Sequence, residues 1–152
     1  MLEVATQILH LQNALIAKAH AAGVKTVMMV GGDSDGPGFL AATADPTVRA
    51  RFIQNILDKA VQKNYDGVDI DWEFPVYGGP VEITDRPEDR RNMTLLVHEF
   101  RRQLDAIRPG LQLTGAIGAG VDKIRVTQPE LYHPYVDAIN LMAYDFHGGW
   151  EN

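Results

Sequence analysis

The chain contains no cysteine. That excludes a disulfide framework, a thiolate metal site and a cysteine nucleophile. It does not fix the compartment, because a domain with an adequate core needs no disulfides even outside the cell. Positive charge is also scarce: 14 Lys and Arg stand against 20 Asp and Glu, a net charge of −6. Nucleic acids and anionic membranes both require clustered Lys and Arg, so neither is an expected partner. A neutral or cationic ligand fits better. Long apolar runs are absent too. The most apolar candidate, residues 2–22, is interrupted by Glu3, Gln7, His10, Gln12, Asn13, Lys18 and His20, with no basic segment ahead of it. It reads as an amphipathic helix rather than an export signal. Secretion is an expectation only for a longer protein that would carry such a signal upstream. There is no low-complexity tract, no block of like charge, and no G-x-G-x-x-G or P-loop behind a strand, so nucleotide binding has no support.

What remains is the composition of a soluble globular protein, 152 residues with 45% hydrophobic and 22% charged side chains. That is the size of one ordinary domain, with no internal boundary expected. Leu2, Ile8, Leu11, Leu15 and Ala19 are spaced for one face of a helix ending near Gly23. Residues 24–30 form a short β-branched run that predicts a buried strand ending at Gly31-Gly32. Asp45-Pro46 is an N-cap followed by a first-turn proline, and Val48, Phe52, Ile56, Leu57, Ala60 and Val61 line the helix behind it. Residues 66–74 predict a second strand and 75–84 a Pro/Gly-rich loop. Asp85 and Pro87 predict the start of a further helix, with Met93, Leu96, Val97, Phe100 and Leu104 inward. Residues 111–120 and 136–144 predict two more strands, separated by a short helical or irregular piece. Asn92-Met93-Thr94 fits a glycosylation sequon but falls on the predicted helix, where a chance match is expected.

Strands alternating with helices imply parallel βαβ units with right-handed crossovers. Two closures satisfy that pattern, a doubly wound sheet or a (β/α)-barrel. Polar side chains gather at the C-terminal ends of the second and fourth strands, which is how barrel enzymes build their sites. A complete barrel needs about 250 residues, so about four βα units are too few to close one. The chain is then either part of a longer barrel or one of two copies that pair their edges as a homo-oligomer.

The most informative stretch is Asp66-Gly67-Val68-Asp69-Ile70-Asp71-Trp72-Glu73-Phe74. Side chains alternate faces along a strand. Val68, Ile70, Trp72 and Phe74 are therefore expected under the helices, and Asp69, Asp71 and Glu73 on the opposite face. Carboxyls spaced roughly 6–7 Å apart in a partly dehydrated interior raise one another's pKa. At least one should hold a proton near neutral pH, the condition for a general acid. A solvated acidic edge would not usually carry Trp and Phe on its other side. A divalent-metal site is the other rival, since Asp-x-Asp clusters bind Mg²⁺ and Ca²⁺, but the loop glycine and distant Glu of an EF-hand are missing. No histidine lies in the cluster, which weakens zinc.

These residues resemble the family 18 glycoside hydrolases, the chitinases and their relatives. Asp66, Gly67, Asp69, Asp71 and Glu73 match every fixed position of the family pattern D-G-x-D-x-D-x-E. Val30-Gly31-Gly32 is similar to the end of the family's S-x-G-G motif, with Met29 in place of the serine that supports the carboxylates. Residues 141–148 are similar to its M-x-Y-D signature. The resemblance implies an incomplete α/β barrel of the (β/α)8 TIM-barrel type, corresponding to strands three to six. It implies hydrolysis of β-1,4 bonds next to N-acetylglucosamine, with a chitin-like oligo- or polysaccharide as partner and no cofactor or metal. The substrate's own acetamide is the nucleophile in this family.

On that resemblance Glu73 is the general acid. Asp71 supports the acetamide, and Asp69 shares a proton with Asp71. Tyr144 donates to the acetamide carbonyl, unless it is a buried tyrosine satisfied by a neighbouring carboxylate. Asp145 contacts sugar hydroxyls or is a turn aspartate. Met142 lines the sugar pocket or fills core, and Trp150 stacks on a ring or lies stranded on the surface. Asp66 reads as structural, and His10, His20, His98 and His133 as surface residues without a role. One alternative is a non-catalytic chitin- or N-glycan-binding relative, although such relatives usually lack the Glu that Glu73 supplies; the other is a truncated half-barrel that is inactive unless it self-associates.

Overall fold

The computed structural model describes residues 2–33, 35–76, 86–149 and 151. Trp150, Asp85 and most of the expected 75–84 loop lie outside the described residues. Four strands form one parallel sheet: β1 (Val27–Gly32), β2 (Gly67–Trp72), β3 (Gln112–Gly118) and β4 (Ala138–Met142). Their spatial order, β1-β2-β3-β4, is their chain order. A doubly wound sheet reverses direction at a switch point. This one does not; its order is that of successive strands in a (β/α)-barrel.

The connections are helices: α1 (Leu2–Ala21) before β1, α2 (Gly36–Thr43) and α3 (Pro46–Gln62) before β2, and α4 (Asp89–Ile107) before β3. Two short helices, α5 (Val121–Arg125) and α6 (Pro129–Tyr132), and a 3-10 turn at His133–Tyr135 lead to β4. Asp45 caps α3, its Oδ1 accepting from Thr47 N at 2.8 Å and Val48 N at 2.9 Å. The core lies between the sheet and α2, α3 and α4. Val68, Ile70 and Trp72 of β2 and Leu113 of β3 meet Phe39, Ile53, Leu57, Leu96, Val97 and Phe100 there. Burying one such side chain is worth about 1.5–3 kcal/mol. Trp72 stacks on Phe39, ring centroids 5.2 Å apart and nearly parallel. All five inward positions expected on α4 are buried.

Several expectations are corrected. β1 is an edge strand, not a buried one: Met28 and Val30 face the core, while Met29 is exposed. On α1 the apolar row Leu11 and Leu15 is exposed, and Ile16 is buried instead. The docking side carries Gln12, which donates to Tyr65 Oη at 2.7 Å, and His20, whose Nε2 lies 2.7 Å from Asp66 Oδ2. Polar pairing rather than apolar periodicity therefore sets the helix rotation. α4 begins at Asp89, so Pro87 precedes it instead of sitting in its first turn. Val61 of α3 is exposed. Asn92 is buried and donates to Asp89 at 2.9 Å, which leaves the sequon no role.

Candidate active site

β2 is buried at all six positions because strands flank it on both sides and helices cover one face. Parallel register sets its neighbours. Asp69 stands between Met29 of β1 and Thr114 of β3, and Asp71 stands beside Gly31. Gly31 has φ +117, and a Cβ there would overlap the Asp71 carbonyl oxygen and press on the Phe39 ring. Only glycine allows β1 this close to the acid row.

Asp69 and Asp71 are each only 8% exposed, on the face away from the helices. Asp69 Oδ1 accepts from the Thr114 hydroxyl and from Asn140 Nδ2 at 3.0 Å. Asn140 belongs to β4, two strands away, and its reach fixes which face of β4 looks at the acids. Met142, two residues on, shares that face and pairs in register with Gly118. Asp71 Oδ1 is buried with no hydrogen-bond partner among the described residues. Burial, then the charges of Asp69 and Asp33, push the Asp71 carboxyl above its ordinary range.

Glu73 does not lie within the strand as expected. β2 ends at Trp72, and Glu73 is the first residue past it, half-buried, with a cis peptide to Phe74. Burial is again the largest cause of its raised pKa, followed by the charges of Asp71, Asp33 and Asp145. Phe74 also departs from expectation. It stands outside the buried cluster, near Gly118, with Lys123 Nζ 4.8 Å from its ring centroid. The alternation of faces therefore holds through Trp72 and stops there.

The sheet thus gathers Asp69, Asp71, Glu73 and Asp145 at its C-terminal end. Tyr144 lies past β4 and is 63% exposed, so it is not a buried tyrosine tied to a carboxylate. Asp145 adopts φ 55, as turn aspartates do. Asp33, Thr114 and Asn140 were not singled out from sequence. Asp33 follows the glycine pair at the end of β1, next to the acid strand, and that adjacency was the available signal. Thr114 and Asn140 become visible only through strand register. At the other end of the strands, Asp66 is structural as expected, accepting from Thr26 N at 2.8 Å and from His20. Burial acts to raise its pKa, but these bonds outweigh it and the net shift is downward.

Solved structures of known proteins share this fold. The chain is 38% identical over 132 residues to Chitinase A1 of Niallia circulans, covering 84% of this chain and 19% of that protein. A chitinase of Bacillus thuringiensis superposes with a TM-score of 0.85 at 33% identity, over 94% of this chain and 23% of that one. YKL-39, solved in the presence of chitooligosaccharides, gives a TM-score of 0.79 at 27% identity, over 97% of this chain and 39% of that one. The chain therefore spans well under half the length of these relatives. Residues 6–152 match the glycosyl hydrolases family 18, and the chain belongs to that family.

Proposed function

We propose that these strands form part of the active site of an enzyme that hydrolyses β-1,4 glycosidic bonds next to N-acetylglucosamine, in chitin or chito-oligosaccharides, with retention and with help from the substrate's acetamide. The observation that carries the reading is the row Asp69-Asp71-Glu73, in which burial and neighbouring carboxylates raise the pKa of both Asp71 and Glu73. A carboxyl that keeps its proton to higher pH is a competent general acid.

Glu73 gives its proton to the leaving glycosidic oxygen as the bond to the anomeric carbon breaks. The acetamide oxygen bonds to that carbon and forms a positively charged oxazolinium ring. Asp71 accepts from the acetamide N–H and opposes the ring's charge. The Glu73 carboxylate then removes a proton from water, whose oxygen attacks the anomeric carbon and reopens the ring. Tyr144 donates to the acetamide carbonyl, Met142 lines the sugar pocket and Asp145 meets sugar hydroxyls. Trp150 is the candidate stacking residue. The test is cleavage of a chromogenic N-acetylglucosamine oligomer by wild type and by Glu73→Gln. A loss of at least about 100-fold supports Glu73 as general acid. Equal rates contradict it.

One observation favours a second reading, sugar binding without turnover by this segment alone. The sheet is open among the described residues, and Met29, Ile139 and Leu141 are exposed near its two edges. A sugar would meet one wall of a site, not a closed one. If two copies complete the barrel, light scattering should give twice the chain mass at micromolar concentration. A mass of one chain contradicts self-completion.

A further inference from the structure

Glu73 stands just outside the strand that carries Asp69 and Asp71, so its position depends on the residues beside it. Those residues are held from α2 at both ends. Before Glu73, Trp72 stacks on Phe39 of α2. After it, Pro75 is buried, and the carbonyl of Val76 accepts from Arg86 N at 3.3 Å. The Arg86 side chain returns to α2: its Nη1 donates to Leu40 O at 3.0 Å. Its Nη2 lies 3.1 Å from Oδ1 of Asp89, which is fully buried and also accepts from Asn92. Phe39 and Leu40 are consecutive, so one turn of α2 grips the chain on either side of residues 73–76. Val76 needs that grip. Its φ is 74, a left-handed conformation that is strained for a β-branched residue.

We propose that Arg86 is a positioning residue for Glu73: anchored on Leu40 and Asp89, it holds Val76 in its left-handed conformation and so fixes the turn that presents the Glu73 carboxyl. The inference rests on Glu73 acting as the general acid of the proposed reaction. Arg86 acts through the backbone rather than through its charge. The charges that act on Glu73 are Asp71, Asp33 and Asp145, and the Arg86 guanidinium is not among them. Its own ionic partners are Asp89 and Glu88. The nearest cation along the turn, Lys123, lies over the ring of Phe74 and is unaffected by a change at Arg86. Burial and those three carboxylates raise the Glu73 pKa, so its titration reports whether the carboxyl is in place.

The test is a ¹³C-carboxyl NMR titration of Glu73 in the whole chain, in wild type, Arg86→Gln, Val76→Gly and the double variant. Without the guanidinium the Val76 turn relaxes, Glu73 moves into water, and its midpoint should fall toward the ordinary 4.5. Loss of a positive charge alone would move the midpoint the other way, so the sign separates positioning from electrostatics. Glycine adopts a positive φ freely. Val76→Gly should therefore return the midpoint of Arg86→Gln part of the way to the wild-type value. A merely structural role would lower the thermal midpoint and leave the Glu73 titration of the folded protein in place. Arg86→Lys keeps the charge without the planar fork, and carries the same expectation if Arg86→Gln does not fold. On the chromogenic oligomer, kcat should fall at least about 10-fold in Arg86→Gln with KM unchanged, since misplacing a catalytic group costs that much. A Glu73 midpoint that stays or rises in the folded Arg86 variant overturns the proposal, as does a double variant with no recovery. The titration needs no substrate: a lowered midpoint without hydrolysis by wild type contradicts the proposed function alone, and hydrolysis with an unmoved midpoint contradicts only this inference.

Discussion

Strand β2 is buried at all six of its positions, whereas four of the five positions of β4 are exposed. Both are parallel strands of one sheet; opposite its apolar face β2 carries Asp69 and Asp71, whereas β4 carries Asn140 between Ala138 and Met142. β2 has a strand on each side and helices over Val68, Ile70 and Trp72. Among the described residues β4 pairs only with β3, and its Ile139 and Leu141 are 38% and 54% exposed. The difference separates two tasks. The centre of the sheet holds Asp69 and Asp71 largely out of water. The edge supplies one long side chain, Asn140, that reaches back to steady it.

Truncation of Trp72 should break β2 most severely. Trp72→Ala removes the ring stacked on Phe39 and should reduce stability by about 3–5 kcal/mol in urea unfolding. Gly31→Ala should come next, at about 2–3 kcal/mol, because it forces a positive φ on alanine and drives a methyl into the Asp71 carbonyl. Asp45→Ala, which removes the cap of the helix that packs behind β2, should cost about 1 kcal/mol. Leu141→Ala on the exposed side of β4 should change stability by no more than about 0.5 kcal/mol. A large loss there would mean that the edge is covered in solution, and would erase the contrast.

The alternation in residues 67–72 was legible because side chains of a strand must switch faces, and the apolar half could only be core. The end of that strand was not legible. Glu73 and Phe74 continue the pattern in sequence, yet pairing with β3 stops at Ile70 and the chain turns after Trp72. The rotation of α1 was misread for a related reason. Leu11 and Leu15 make the stronger periodic signal, but Gln12, Ile16 and His20 find partners on the sheet side. Nothing in the sequence marked α2, whose Gly36 and Pro37 look like loop, although its Phe39 becomes the platform for Trp72. Thr114 and Asn140 lie 45 and 71 residues from Asp69. Contacts that distant are set by register, which no local pattern encodes.

β2 and the turn that follows it hold carboxyls where a charge is unwelcome, at the expense of stability. The ordinary values of Asp71 and Glu73 are 3.8 and 4.5, and both are raised in the fold, so the folded state holds these protons more tightly than the unfolded chain does. The penalty is therefore present above the raised midpoints and disappears as pH falls below about 4. The most direct measurement is the thermal midpoint of wild type, Asp71→Asn and Glu73→Gln across pH. Both variants should melt above wild type at pH 7–8, with the advantage shrinking to nothing in acid. Variants that melt at or below wild type at neutral pH would contradict the account.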